Sequence, residues 1–145
     1  TRMSGSLEME MKKLQLQNEE IRLSENEQQQ RIDSFMNSDL YQFINQASKD
    51  DKVIVTEEDW NQIKEAIDFI FPTFNKHLDD LFPYISLQAK RLCWLSKIGI
   101  SPVGIAHILK RSRQAITNTR SKMNRLIAES SLPEKTSDDF IEKFS

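Results

Sequence analysis

Along the first quarter of the chain Leu7, Met11, Leu14, Asn18, Ile21, Glu25, Gln28, Ile32 and Phe35 stand in a row whose steps alternate between four and three. That is the heptad spacing of a coiled-coil seam, and it predicts one long helix. Asn18, Glu25 and Gln28 interrupt the seam with polar side chains, so it is weakest in its middle; a second apolar row runs at Met9, Leu16 and Leu23. A lone amphipathic helix is marginal in water and needs a surface to pack on. Two solutions are open: it pairs with a second copy, or it folds back along its own domain. Self-association is the more economical. Asn18 in the seam then sets register and strand number at some cost in stability.

Leu40, Tyr41, Phe43, Ile44 and Ala47 extend the apolar pattern until Ser48-Lys49-Asp50-Asp51-Lys52 breaks it. The dimerisation helix is therefore expected over residues 7–47. Thr56-Glu57-Glu58-Asp59 is a helix start, a cap followed by first-turn acids, and Trp60, Ile63, Ile67, Ile70 and Phe71 carry the stripe onward to Pro72. A shorter helix from Phe74 to Phe82, with Phe74, Leu78, Leu81 and Phe82 on one face, ends at Pro83. Residues 53–83 read as an acidic helical scaffold.

From Ser86 the pattern tightens. Ser86 caps a helix that turns Ala89, Leu92, Cys93 and Leu95 toward a core, and Gly99 supplies the positive φ that closes it. Ser101-Pro102 opens the next helix, with Ile105, Ile108 and Leu109 as its apolar face. A break at Lys110-Arg111-Ser112 precedes a helix from about Arg113 to Ala128 with the stripe Ile116, Thr119, Met123 and Leu126. Beyond it Leu132-Pro133 interrupts; Phe140, Ile141 and Phe144 belong either to a short terminal helix or to a frayed tail over residues 130–145. Residues 1–6 show no periodicity and read as a cloning remnant or the cut edge of a longer chain. The fold class is all-α, a long N-terminal coiled-coil helix followed by a small helical domain with a C-terminal helix-turn-helix.

Composition sharpens this picture mainly through charge. The formal net charge is −2. Yet between Tyr84 and Ile127 stand Lys90, Arg91, Lys97, Lys110, Arg111, Arg113, Arg120, Lys122 and Arg125 without one Asp or Glu. Residues 1–50 hold six basic and nine acidic side chains, 51–83 three and eight, and 128–145 two and five. One cationic unit is thus embedded in an acidic chain, and such a field gathers polyanions. A solvated basic face without a partner would normally mix both signs. Nucleic acid is the expected partner class.

Other chemistry is thin. Three Gly and four Pro, with no long alternating apolar runs, argue against an extensive sheet. No stretch approaches a membrane span and no signal-peptide pattern opens the chain, so a soluble, cytoplasmic protein is expected. The single cysteine, Cys93, sits among Leu92, Trp94 and Leu95 as a small buried hydrophobe rather than a nucleophile. His77 has no metal-ligand spacing around it, and no Gly-rich phosphate loop or paired catalytic carboxylates stand out. No cofactor, metal or enzymatic activity is expected.

On the last basic helix the face opposite the apolar stripe presents Gln114, Thr117, Asn118, Ser121 and Arg125. Side chains of this kind pair with base edges in a major groove: Asn or Gln with adenine, Arg with guanine, Ser or Thr with several. Gln114, Thr117, Asn118 and Ser121 are the expected base contacts. Lys110, Arg111, Arg113, Arg120, Lys122 and Arg125 are the expected phosphate contacts, aided by the helix N-terminus near Ser112.

The stretch Ile85-Ser86, Leu92, Leu95, Gly99-Ile100-Ser101, Ile105-Ala106, Leu109, Ile116 and Arg125 resembles, in register without a gap, the LuxR-type (GerE-like) helix-turn-helix. The resemblance runs from Ile85 to Ile127, within a DNA-binding domain expected over residues 84–129, and implies that Thr117, Asn118 and Ser121 face the groove, which agrees with the helical-face argument. Two positions depart from the family pattern: Ala89 stands where an acidic residue is usual, and Gly104 where a Glu is usual. The wider layout is similar to bacterial regulators in which a sensor, often tetratricopeptide repeats and a membrane span, precedes a coiled coil and such a module. By that resemblance the chain is the cytoplasmic output part of a sensor-regulator. No sensor and no receiver-type aspartate site is recognisable in it.

The leading expectation is a homodimeric transcription regulator that binds double-stranded DNA, its dimer seam formed by Leu7, Met11, Leu14, Asn18, Ile21, Ile32 and Phe35. The alternative is a coiled-coil interaction module whose basic part binds an acidic protein or polymerase subunit.

Overall fold

A computed structural model of the chain describes residues 2–129. Every regular element among them is helical: α1 (Arg2–Met36), α2 (Asp39–Lys49), α3 (Glu57–Ile70), α4 (Phe74–Leu81), α5 (Leu87–Lys97), α6 (Pro102–Leu109) and α7 (Arg113–Glu129). The chain divides into two compact units, residues 1–34 and residues 35–145. The terminal helix considered for Phe140, Ile141 and Phe144 lies outside the described residues. No described helix is long and apolar enough to cross a membrane.

The helix expected over 7–47 is two helices, and this corrects the boundary drawn from the heptads. α1 stops at Met36, and Ser38 takes extended backbone angles (φ −81, ψ 157) and caps α2 by accepting from the Tyr41 N–H. Ser38 also donates to the Phe35 carbonyl at 2.5 Å, closing the end of α1, while the Phe35 and Tyr41 rings meet edge-on at 5.4 Å across the break. A serine that satisfies orphan groups on both sides stabilises a break that hydrophobic periodicity alone does not reveal. α2 accordingly belongs to the second unit, where it buries Ile44 and Ala47.

Within that unit α2 and α5 both pack on α6, α6 packs on α7, and α3 packs on α4 and α5. Thr56 and Asp59 form a reciprocal capping box at the start of α3, as the sequence predicts. Trp60, Ile63, Ile67 and Ile70 of α3 and Phe74 and Leu78 of α4 are buried, making the scaffold end of the core. Leu92, Cys93 and Leu95 of α5 and Ile105, Ile108 and Leu109 of α6 continue it, and Ile116, Met123 and Ile127 of α7 close it. The α7 stripe differs at one step from expectation: Ile127 is fully buried while Leu126 is 39% exposed. Ile116 and Ile127, eleven residues apart, share a helical phase more closely than Ile116 and Leu126 do.

Two turns set the path from α5 to α7, and both close by the same bonding. After α5, Gly99 (φ 89) lets its N–H reach Ser96 while the Ile100 N–H reaches Leu95. After α6, Lys110 adopts the same left-handed region (φ 56), with its N–H on His107 and the Arg111 N–H on Ala106. These are Schellman closures, which normally place glycine at the left-handed residue.

Candidate nucleic-acid interface

The nine cations between Tyr84 and Ile127 separate into two groups once the chain is folded. Five have their charged groups engaged by other parts of the protein. Lys90 pairs with Asp79 at 2.7 Å, joining α5 to α4. Arg91, buried at 9% exposure, donates from one Nη2 to both oxygens of Glu57 at 2.9 and 3.1 Å and lies 4.6 Å over the Trp60 ring. Lys97 sits 4.7 Å over the Phe71 ring. Lys110 sends its ammonium to the backbone carbonyls of Asp51 and Val53, the latter at 2.6 Å. Arg120 is half-buried and its Nη2 lies 3.3 Å from Ser96 Oγ.

Two of these, Lys110 and Arg120, were expected to hold phosphates, and the structure places their charged groups against the protein instead. For Arg120 the reason is helical phase. It stands four residues after Ile116 and seven before Ile127, on the flank of the buried stripe, so its head turns toward α5. For Lys110 the left-handed turn aims the side chain at the segment that follows α2.

The other four cations, Arg111, Arg113, Lys122 and Arg125, are exposed, and no described residue lies in ion-pair reach of them. All sit on α7 or in the turn before it. Gln114, Thr117, Asn118 and Ser121 are exposed on the same helix, so the structure brings the expected base contacts and four of the six expected phosphate contacts to one element. Gln114 Nε2 donates to Asn118 Oδ1 at 2.9 Å, an i, i+4 pair that holds both amides in fixed orientation. Asn118 keeps its amide donors and a second lone pair on Oδ1, the set an adenine edge requires. At the N-terminus of α7, Ser112 Oγ accepts from the Ala115 N–H, so one orphan amide is satisfied internally.

A polar frame that the sequence leaves unassigned ties α5 and α6 to the helices around them, while α7 itself packs on α6. Trp94 Nε1 donates to Asn75 Oδ1 at 2.7 Å, and Asn75 Nδ2 donates to Asp68 Oδ1 at 2.7 Å, so a single asparagine links α5, α4 and α3. Together with Arg91–Glu57 it fastens the cationic helices to the acidic scaffold. On the opposite side His107 Nδ1 lies 2.8 Å from the Ser48 carbonyl at the end of α2. Gly104 permits that approach: a Cβ there would stand 2.9 Å from both Ser48 Cβ and Ile100 Cγ2. Nothing in the sequence points to Asn75 as the link, since its partners stand 7 and 19 residues away.

Cys93 is buried beside Met123, its Sγ 3.7 Å from Sδ. Burial pushes its thiol up to about 12, against a smaller opposing pull from the Arg120 charge. A thiol so held is a core side chain, not a nucleophile. Among the described residues no three His, Cys, Asp or Glu converge on a possible metal position. Compared with known proteins, the chain finds no matching family model, no matching curated protein and no matching solved structure.

Proposed function

We propose that this chain is a sequence-specific regulator of transcription that binds double-stranded DNA as a homodimer, with α6 and α7 as the last two helices of a LuxR-like helix-turn-helix and α7 as its recognition helix. The observation that carries this reading is the sorting of cations: five have partners within the protein, Arg120 of α7 among them, while Arg111, Arg113, Lys122 and Arg125 surround an exposed face of Gln114, Thr117, Asn118 and Ser121 that bears no carboxylate. An ordinary surface helix would mix in acids; a helix seated between phosphate rows excludes them.

In this mechanism the four exposed cations bind phosphates and fix the position of α7, and the shorter polar side chains read base edges. The polar frame fixes α5 to the scaffold, and α7 rests on α6, which packs on α5. Gly104, where the resembled family carries Glu, is here adapted to the close approach of α2, so the departure serves packing and leaves the groove-facing side of α7 untouched. The exposed seam residues Leu7, Met11, Leu14 and Ile21 of α1 pair with a second copy and set two modules at half-sites about 10 base pairs apart or a multiple of that.

Fluorescence anisotropy of the chain against labelled duplex fragments at two salt concentrations tests the reading. Selective binding to a subset of fragments is expected, and Asn118→Ala should then lose about 1 to 3 kcal/mol on the preferred fragment while relaxing the preference at one base position. Uniform weak binding that salt abolishes, unchanged by Asn118→Ala, would overturn it.

A further inference from the structure

Away from its seam, α1 carries a second apolar row. Met9, Leu16 and Leu23 are 74%, 61% and 62% exposed. Each helical residue turns about 100° from the last, which puts this seven-residue row roughly opposite the mean direction of Leu7, Met11, Leu14, Asn18 and Ile21. Charges flank the row in a definite order. Lys12 and Glu19 lie along one side of it and Lys13 and Glu20 along the other, all exposed and with no ion pair among the described residues.

We propose that this back row is a self-complementary, antiparallel contact to a second copy of the chain, centred on Leu16. The flanking signs decide the orientation. In a parallel pairing each flank meets the opposite flank at the same level, so Lys12 would stand beside the partner's Lys13 and Glu19 beside the partner's Glu20, like against like. Antiparallel pairing turns each flank onto the same flank end for end. Lys12 then meets the partner's Glu19 and Lys13 the partner's Glu20, while Met9 covers the partner's Leu23 and Leu16 covers the partner's Leu16. One two-fold axis through Leu16 generates the whole arrangement, as an isologous interface requires. Exposed ion pairs are individually weak, so the charges select the orientation and the two facing apolar rows supply the attraction.

The back row is separate from the seam, and a helix with two opposite faces can use both at once. A seam-paired dimer carries one back row on each outer side, so dimers join through these rows into an open series of larger oligomers. Such an assembly suits several duplex segments; this last step rests on the DNA-binding reading, whereas the antiparallel contact itself does not.

Sedimentation velocity of the full chain tests the proposal. Wild type should show concentration-dependent association beyond a dimer, and Lys12→Glu with Lys13→Glu should reduce it to the dimer at the same concentration. Adding Glu19→Lys and Glu20→Lys to that variant should restore it. A double variant that keeps the wild-type mass, or a fourfold exchange that fails to restore it, overturns the contact. The seam is separated by Leu14→Gln with Ile21→Gln. If the seam reading alone is wrong, wild type is a dimer that the charge reversal turns into monomer; if the back row is wrong, wild type is a dimer that only the seam variant dissociates. Oxidative cross-linking reads the orientation, because buried Cys93 does not compete. Leu16→Cys should cross-link by itself and Met9→Cys only together with Leu23→Cys, and self-cross-linking of Met9→Cys alone would exclude the antiparallel arrangement.

Discussion

At Gly104 a missing side chain carries a structural task. α6 and the end of α2 approach so closely that a Cβ would stand 2.9 Å from Ser48 Cβ and from Ile100 Cγ2. Neither neighbour is the far end of a flexible chain, so the helices must part. Gly104→Ala is expected to lower stability by about 1 to 3 kcal/mol, the usual cost of overpacking, despite alanine's better helix propensity; thermal unfolding measures it. Cys93 makes a different statement about the same core. Its thiol, raised to about 12 in the folded chain from an ordinary value of 9.0, keeps its proton where the unfolded chain has already lost it. Below pH 9 both states are protonated and the burial costs nothing. As pH rises from about 9 toward 12 the unfolded state binds fewer protons, so stability falls, with a slope of at most about 1.4 kcal/mol per pH unit. Denaturant titrations across that window should show the decline in wild type and a shallower one in Cys93→Ala.

At the scale of single helices, phase separates the exposed cations from those with partners within the protein. α7 carries Arg113, Arg120, Lys122 and Arg125 within one helix, yet only Arg120 lies beside the buried stripe of Ile116, Met123 and Ile127, and only it turns inward to Ser96. Lys122 points into solvent from the other side. Their replacements should therefore diverge. Lys122→Ala is expected to leave stability unchanged while reducing the salt slope of duplex binding by about one unit. Arg120→Ala should lower the unfolding midpoint and leave the salt slope near wild type, and equal loss of slope in both would place Arg120 on DNA after all. The division between α1 and α2 is a second lesson of this scale. Ser38-Asp39 is an ordinary helix start, a cap followed by an acid in the first turn, and so was legible. It is easily overlooked because the four-and-three row runs up to Phe35 and a fresh cluster of apolar residues starts at Leu40, only two positions after Ser38. Periodicity reports which side of a helix is apolar; it does not report that the helix is continuous.

For the molecule as a whole, α1 to Ser34 and the rest of the chain form separate compact units, with the buried core confined to the second. Deleting residues 1–34 should consequently leave a protein with cooperative thermal unfolding and near-native helix content in α2 to α7. Loss of the paired modules should weaken binding to a two-half-site duplex by about 100-fold or more, because the second contact is no longer intramolecular. Binding to a single half-site should barely change. Unaltered affinity for the longer duplex would show that α1 does not join the modules.

The all-helical class, the caps at Thr56, Ser86 and Ser101, the closing turn at Gly99 and the buried stripe of α3 were readable in the chain because each is set by residues within a turn or two of one another. Local backbone geometry and side-chain capping have no need of distant partners. The same holds for the polar face of α7, whose residues share a helical phase. The fate of each charge was not readable in this way. Lys110 meets carbonyls 57 and 59 positions away, Arg91 meets Glu57 at a separation of 34, and Trp94 meets Asn75 at 19. A cation on the sequence looks the same whether its head ends on a carboxylate, over an indole or in solvent. Which of the nine stays free is decided only by the tertiary structure, because the carboxylates, carbonyls, hydroxyl and aromatic ring that engage the other five come from elsewhere in the chain and meet them only when the helices pack.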